Sequence, residues 1–186
     1  GLVEGFGISV NRWEPTNVLK ALDTGLVDAE QVVYNVFDQN PEDVLFPACT
    51  RAKVAVIARV PFDEGSLAGG LSLDSRWREG DWRNLYFTPD RLRETLDRVD
   101  RLRPLVPAGG TLPDLALRFI LHHPAVSTVI PGMRRLRNVE TNLGTSPLTG
   151  SSKTLPLCPF NCAIGPSATT RPLSSTTTWS HVYSTS

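Results

Sequence analysis

The sequence has few cysteines, one methionine and no long apolar run. Its 186 residues contain three cysteines, Cys49, Cys158 and Cys162, which cannot form an even set of disulfides. Together with the three histidines they lack the paired spacing of a zinc site, so we predict no metal site. We expect Cys49 to be a small buried residue on a helix rather than a nucleophile, because no histidine is placed to activate it.

An excess of charge of one sign is also missing. The 19 basic and 19 acidic residues give a formal net charge of zero at pH 7, which favours neither nucleic acid nor an anionic membrane as a partner. No apolar run approaches the roughly 20 residues of a spanning helix, and no basic stretch followed by an apolar one indicates a secretory signal. We therefore expect a cytoplasmic protein that binds a small molecule.

The composition changes abruptly at Thr145. Of the last 42 residues, 18 are Ser or Thr, five are Pro and none is Asp or Glu. Such a segment cannot bury enough apolar surface to offset its ordering entropy, so we predict a disordered tail over 145–186 and a folded domain over 1–144. We interpret the tail as unrelated to the fold, and the alternative is a mucin-like stalk on a secreted protein.

Within residues 1–144, short β-branched runs alternate with amphipathic stretches, which predicts βα units around a parallel sheet. A helix with a kink at Pro47 is expected from Asn40 toward Arg51, and another from Thr111 to His122. The polar stretch 63–87 is too long for a simple turn and is expected to be a functional loop. Four units are half the number in a TIM barrel, and 186 residues are few for a closed one, which typically needs about 250. The predicted strands are Phe6–Val10, Gln31–Val36, Val54–Val60 and Ser127–Ile130.

Four motifs at the ends of these strands resemble, in order, strands five to eight of the aldo-keto reductase family. The first two read GISVN over 7–11 and QVVYN over 31–35, and the others read VIARVPF over 56–62 and VIPGMR over 129–134. The resemblance implies an α/β fold: a partial (β/α)8 TIM barrel, the C-terminal half, with a disordered C-terminal tail. The first residue, Gly1, fits the expectation of a fragment.

The resemblance also implies a nicotinamide site. In α/β barrels, residues at the C-terminal ends of strands meet the ligand. The family holds the nicotinamide carboxamide with a Ser, an Asn and a Gln, here Ser9, Asn11 and Gln31. A hydroxyl and two side-chain amides match the one acceptor and two donors of a carboxamide.

Two further segments are implied to bind the rest of a dinucleotide. Arg59 stands where many members stack an aromatic ring, and a guanidinium plane can also stack. At the other end, Arg134 near a helix start favours a phosphate, which points to NADP(H) with NAD(H) the less favoured alternative; an exposed basic helix terminus is the simpler interpretation. The implied residues of these segments are Arg59, Val60, Pro61, Phe62, Gly65, Ser66, Leu67, Gly132, Met133, Arg134 and Asn142.

No catalytic residue is assigned. The family takes its catalytic Asp, Tyr, Lys and His from its first four strands, which this sequence does not match. The predicted function is therefore that of an NADP(H)-dependent oxidoreductase reducing aldehydes or ketones to alcohols, present as a fragment without its catalytic half. The alternatives are a non-catalytic nucleotide-binding subunit and an inactive truncated product.

Overall fold

The computed structural model describes residues 2–145, so the predicted tail, apart from Thr145, lies outside the described residues. This part of the chain contains four strands and six α-helices, the last of which follows the last strand. The strands are β1 (Gly7–Ser9), β2 (Ala29–Val33), β3 (Ala55–Arg59) and β4 (Val126–Ile130). The helices are α1 (Leu19–Leu22), α2 (Leu45–Ala52), α3 (Arg83–Tyr86), α4 (Pro89–Leu102), α5 (Leu112–His122) and α6 (Leu136–Gly144). Short 3₁₀ helices cover Pro15–Val18, Asn40–Glu42, Asp63–Ala68 and Arg103–Leu105.

All four strands are parallel and lie side by side in chain order, β1-β2-β3-β4. Parallel neighbours need a crossover connection, and helical segments supply one between each pair. The α/β fold with a parallel sheet is confirmed, and its arrangement is consistent with part of a TIM barrel. Because the strands share one direction, their C-terminal ends meet at one edge of the sheet.

One face of this sheet is covered by the helices. Val32 and Tyr34 of the β2 segment, with Val56 and Ala58 of β3, are each at most 1% exposed and belong to the main hydrophobic core. Phe46 of α2 packs edge-on against the Tyr34 ring, with 4.9 Å between centroids. These side chains occupy alternate positions, as expected for one face of a strand.

The other face is open. Register pairs Gln31 with Ser9 on β1 and with Ile57 on β3, and none of these three side chains is buried. In a closed barrel this face lines the interior. The polar residues Ser9 and Gln31 therefore lie together on the open face of the sheet.

Strand β2 begins and ends earlier than the sequence indicates. The apolar run predicts Gln31–Val36, whereas the strand covers Ala29–Val33. The physical reason is Asn35, whose Oδ1 accepts the backbone N–H groups of Phe37 and Asp38 and turns the chain. Gln31 lies in the middle of the observed strand rather than at its first position.

The expected kink at Pro47 is wrong. Helix α2 starts at Leu45, so Pro47 is its third residue and lies in the first turn, where a missing N–H removes no helical hydrogen bond. The break instead falls at Val44, whose φ of −132° separates α2 from the preceding 3₁₀ turn. Cys49 is fully buried on this helix, as expected.

The stretch 63–87 is less loop-like than its composition predicts. It contains a 3₁₀ segment and α3, and it buries Leu67 and Phe87, which are 0% and 4% exposed. Trp77 stacks on Phe87 with 5.4 Å between ring centroids. This segment therefore packs onto the domain through specific aromatic and aliphatic contacts.

Helix α5 covers the predicted segment, and α4 has one buried apolar face. On α4, Leu92, Val99 and Leu102 are buried while its arginines are exposed. Helix α5 begins with a capping box, in which the Thr111 hydroxyl accepts the Asp114 N–H and the Asp114 carboxylate accepts the Thr111 N–H. Within residues 2–145, no helix is long and apolar enough to cross a membrane.

Thr145 lies at the end of the described chain and is only 6% exposed. Its hydroxyl donates to Asp114 Oδ1 at 2.8 Å, so the carboxylate that caps α5 also holds the segment after α6. Thr145 thus contacts the folded domain, although the composition places it in the tail.

Replacing Thr111 by Ala should lower the free energy of unfolding by about 1 kcal/mol, because the α5 cap is lost. Thr111→Ser keeps the hydroxyl and serves as the matched control. Urea unfolding of the full chain followed by circular dichroism measures both. Equal midpoints for the Ala and Ser variants would show that the cap contributes nothing.

Candidate functional site

The C-terminal ends of the four parallel strands bring four loops to one edge of the sheet. The residues singled out by the sequence lie on the loops after β1, β3 and β4 or on the open face of the strands, except Asn142, which lies on α6. In α/β proteins this edge is where ligands bind. The loop after β2 contributes Asn35, the last residue of the QVVYN motif, and Asp38, neither of which was predicted to contact the ligand.

Ser9 and Gln31 are in direct contact. They are register partners on β1 and β2, and the Gln31 Nε2 donates to Ser9 Oγ at 3.3 Å. The two side chains line an open depression together with Gly7, Ala29 and Ile57. One hydroxyl and one amide with spare donors and acceptors therefore lie on the open face of the sheet.

Asn11 has a different surrounding. Its side chain is exposed, and its Oδ1 accepts the Trp13 backbone N–H at 2.8 Å. This closes a local turn of the kind that Asn favours. The structure thus brings together two of the three proposed carboxamide partners and gives the third a role in the turn after β1.

Arg59, the last residue of β3, lies on the open face because it is two positions after Ile57, which faces that side. Its Nη2 donates to the Val10 carbonyl at 3.2 Å, which links β3 to the end of β1. The Nε atom is buried, and it has no hydrogen-bond partner in the described part of the chain. A buried donor without a partner is costly, so this nitrogen marks a place suited to an acceptor.

The loop after β3, residues 60–67, has a strained backbone. Val60, Asp63 and Glu64 have φ values of 56°, 43° and 55°, in the left-handed region that side chains with a Cβ disfavour. Each such residue costs about 1–3 kcal/mol and persists only when surrounding contacts impose it. Gly65, with φ at 104°, completes the turn without that cost.

Most residues of this loop that were predicted to contact the ligand have buried side chains. Ser66 is 1% exposed and donates to Asp63 Oδ2 at 2.8 Å, and Leu67 is fully buried. Pro61 is buried as well, and Phe62 is half-buried. A ligand lying across this loop would therefore meet its backbone groups rather than these side chains.

A charged network that sequence reasoning missed links the loops. Arg12 makes two hydrogen bonds to the Asp38 carboxylate, at 2.6 and 3.2 Å, and donates to the Tyr86 hydroxyl at 3.1 Å. Tyr86 donates to Asp63 Oδ1 at 3.3 Å, and Arg12 Nη2 lies 3.7 Å from the same oxygen. Burial raises the pKa of the Asp63 carboxyl above its ordinary value.

The only sequence signal for this network was weak. Arg12, Asp38 and Asp63 each follow a predicted strand by a few residues, so a shared edge was foreseeable. Their pairing, and the arrival of Tyr86 from 74 positions beyond Arg12, depends on tertiary folding.

The loop after β4 carries the other predicted group. Arg135 is the N-cap residue of the nine-residue helix α6, with Arg134 before it, and both are exposed. Asn142 Nδ2 donates to the Gly132 carbonyl at 3.4 Å, which ties the helix to this loop. Met133 is 40% exposed. Free N–H groups at the helix start and two arginines make this a positive corner at the same sheet edge.

The model of the aldo/keto reductase family matches residues 1–154. The chain belongs to the aldo/keto reductase family. Pyridoxal 4-dehydrogenase from Microbacterium luteolum is 27% identical over 150 residues, 77% of this chain and 40% of that protein. The NADH-specific methylglyoxal reductase of Escherichia coli (strain K12) is 23% identical over 128 residues, 68% and 39% of the two chains.

Solved structures of aldo-keto reductases are similar to the described fold. The holo form of AKR11C1 from Bacillus halodurans has a TM-score of 0.56 and 27% identity, covering 80% of this chain and 47% of that one. The glycerol dehydrogenase AKR11B4 from Gluconobacter oxydans has a TM-score of 0.64 at 18% identity, covering 79% and 45%, and shows the shared fold. The chain spans less than half the length of each of these four relatives.

The described part of this aldo/keto reductase chain offers poor candidates for a proton donor. Tyr34 is 1% exposed, and its hydroxyl donates to Glu42 Oε1. Burial, and then the hydrogen bond to Glu42, raises the pKa of Tyr34 far above its ordinary value. Lys20 and Lys53 are exposed at the surface. Residues 2–145 hold no cluster of side chains suited to a metal ion.

Glu30 is an unexpected buried carboxyl next to Gln31 in the chain. It lies on the covered face and is 0% exposed, and neither carboxyl oxygen has a hydrogen-bond partner within residues 2–145. Burial raises the pKa of Glu30 from 4.5 to about 7, although the charge of Arg59 opposes this. The protonated carboxyl is therefore the form that folding favours.

The free energy of unfolding should fall as the pH rises, because of Glu30. A carboxyl whose pKa is higher in the folded state stabilises the fold below its unfolded pKa, and this contribution is lost as the pH rises through about 7. Between pH 4 and 8 the loss should approach roughly 3 kcal/mol. Glu30→Gln should remove the pH-dependent loss of stability that Glu30 causes. The difference in urea midpoint between wild type and variant should therefore grow from pH 4 to pH 8. A constant difference would contradict the assignment.

Proposed function

We propose that this chain is the cofactor-binding part of an NADP(H)-dependent aldo-keto reductase that reduces aldehydes or ketones to alcohols. In this proposal β1 to β4 are the last four strands of an eight-stranded barrel. The observation that carries it is the Ser9–Gln31 contact on the open face of the sheet. Family membership and the match to under half of each relative's length support it.

The donor set fits a nicotinamide carboxamide. The Ser9 hydroxyl can donate to the amide oxygen, and the Gln31 carbonyl can accept from the amide nitrogen. Arg59 lies on the same face, and its buried Nε lacks a partner among the described residues, which suits an acceptor group on the ligand. These three side chains would bind and orient the ring without placing a negative charge beside it.

The positive corner after β4 fits the adenosine end. Arg134 and Arg135 precede α6, where the helix dipole and free N–H groups favour an anion. Gly132 and Met133 are exposed, so a ligand can approach the backbone there. Asn142 holds that loop through the Gly132 carbonyl. A 2′-phosphate meets two guanidinium groups here, so we favour NADP(H) over NAD(H). One relative is named as NADH-specific, which makes the cofactor the first point to test.

The bound nicotinamide would supply a hydride to a carbonyl carbon. The resulting alkoxide needs a proton in place, and in residues 2–145 the two tyrosine hydroxyls are hydrogen-bonded to the carboxylates of Glu42 and Asp63. We therefore assign binding and orientation, rather than proton transfer, to this part of the chain. The names of two relatives specify methylglyoxal and pyridoxal, both carbonyl compounds, which supports a small carbonyl substrate.

The same observation supports a second candidate, a nucleotide-binding subunit without turnover. Such a protein would keep the Ser9–Gln31 pair and the positive corner while lacking a proton donor. Turnover of a simple aldehyde with NADPH by the whole protein that contains this chain separates the two functions, since only a reductase would oxidise the cofactor.

Titration of the full chain with NADPH should quench tryptophan fluorescence in a saturable manner. Gln31→Leu, which keeps the side-chain size and removes its polar atoms, should weaken binding about tenfold, equal to about 1.4 kcal/mol. Gln39→Leu removes an amide that donates to the Val36 carbonyl instead, and serves as the control. Absence of saturable quenching in folded wild-type protein would refute the proposal.

Arg134→Ala should reduce the preference for NADPH over NADH about tenfold, because the variant loses a charged partner of the 2′-phosphate. Competition titrations with both dinucleotides measure this ratio. Arg98→Ala removes an equally exposed arginine from α4 and should leave the ratio unchanged. An unaltered ratio in the Arg134 variant would remove this residue from the phosphate site.

A further inference from the structure

The loop after β3, residues 60–67, needs an external restraint to keep its shape. Its three non-glycine residues with positive φ, Val60, Asp63 and Glu64, would relax in an unrestrained chain. Two of its groups are held by side chains from neighbouring loops. Asn35 Nδ2 donates to the Val60 carbonyl at 3.0 Å, and the Tyr86 hydroxyl donates to Asp63 Oδ1, while Asp63 Oδ2 accepts from Ser66 within the loop.

Arg12 is the cation on which the second restraint depends. The Asp63 side chain is 8% exposed, and in the described structure its one ion-pair partner is Arg12, with 3.7 Å between Oδ1 and Nη2. The shared Tyr86 hydroxyl, which accepts from Arg12 and donates to Asp63, closes the connection. A buried carboxylate that loses its cation is strongly destabilised, so Asp63 would leave its position if Arg12 were removed.

Arg12 is itself fixed in place. The two hydrogen bonds to Asp38 match the planar guanidinium fork, a geometry that a lysine cannot reproduce. Arg12 follows β1, Asp38 follows β2 and Asp63 follows β3, so the network joins three neighbouring strand ends. The position of the loop after β3 is thereby set from the other two loops.

We propose that Arg12 is a positioning residue: through Asp63 and Tyr86 it holds the loop of residues 60–67 in the strained shape that binds the dinucleotide. This rests on the proposed function, in which the backbone of that loop faces the ligand. Arg12 need not touch the ligand to act in this way. Its removal should loosen the loop and weaken cofactor binding together.

Cleavage by a glutamate-specific protease reports the loop directly, because Glu64 is half-buried in its middle. In Arg12→Ala the rate of cleavage after Glu64 should rise at least tenfold, while cleavage after Glu94 on α4, which reports global unfolding, should stay within twofold of wild type. Arg12→Lys, which keeps the charge and loses the fork, should fall between the two.

Two further variants keep the test decisive. Tyr86→Phe removes one hydroxyl and retains the ring, so it should fold and should still raise cleavage after Glu64 about threefold. Arg83→Ala breaks the pair of Arg83 with Asp81 in the stretch 63–87, which has the same 2.6 Å length as the Arg12–Asp38 pair. This variant should leave cleavage after Glu64 unchanged.

Titration with NADPH gives the second readout. Arg12→Ala should bind NADPH at least tenfold more weakly than wild type, and NADPH should slow cleavage after Glu64 in wild type. Unchanged cleavage and unchanged affinity in Arg12→Ala, or equal increases at Glu64 and Glu94, would overturn the proposal. If wild type binds neither dinucleotide, the proposed function fails, and the cleavage ratio alone still decides whether Arg12 holds the loop.

Discussion

All four strands within residues 2–145 run in the same direction, and most other features depend on that constraint. Parallel strands need helical crossovers, which cover one face of the sheet and bury Val32, Val56 and Ala58 there. The same direction brings the loops after all four strands to one edge. Side-chain alternation then divides each strand between core and open face, so Glu30 is buried while Gln31 is accessible.

That division has energetic consequences on both faces. The covered face holds an ionisable Glu30 without a hydrogen-bond partner in the described structure, which disfavours its charged form. At the loop edge, strained residues after β3 are balanced by the network of Arg12, Asp38 and Asp63. The strained backbone and the charged groups near the open face cost free energy of folding. The apolar core between the sheet and the helices has to offset that cost.

The sequence predicted the four strands in order and helix α5, because these have local signals, whereas α3 and the 3₁₀ segment within the stretch 63–87 were not predicted. Helix α5 has its capping residues, and the apolar positions of α4 recur at three- and four-residue steps. Boundaries were less predictable. A single hydrogen-bonding side chain, Asn35, ended β2 three residues before its apolar run did, and Pro47 fitted a first helical turn instead of kinking the helix.

For the candidate site, the sequence by itself determined which polar residues follow which strand, and the motifs sufficed to indicate the aldo/keto reductase family. Only the tertiary structure decided which of them meet: Ser9 contacts Gln31, whereas Asn11 closes a turn. It also decided that Arg12 and Tyr86, 74 positions apart, share a hydrogen bond. The physical reason is that motifs and helix signals depend on neighbours within a few residues, while strand register and the burial of charge depend on segments that are distant in the chain.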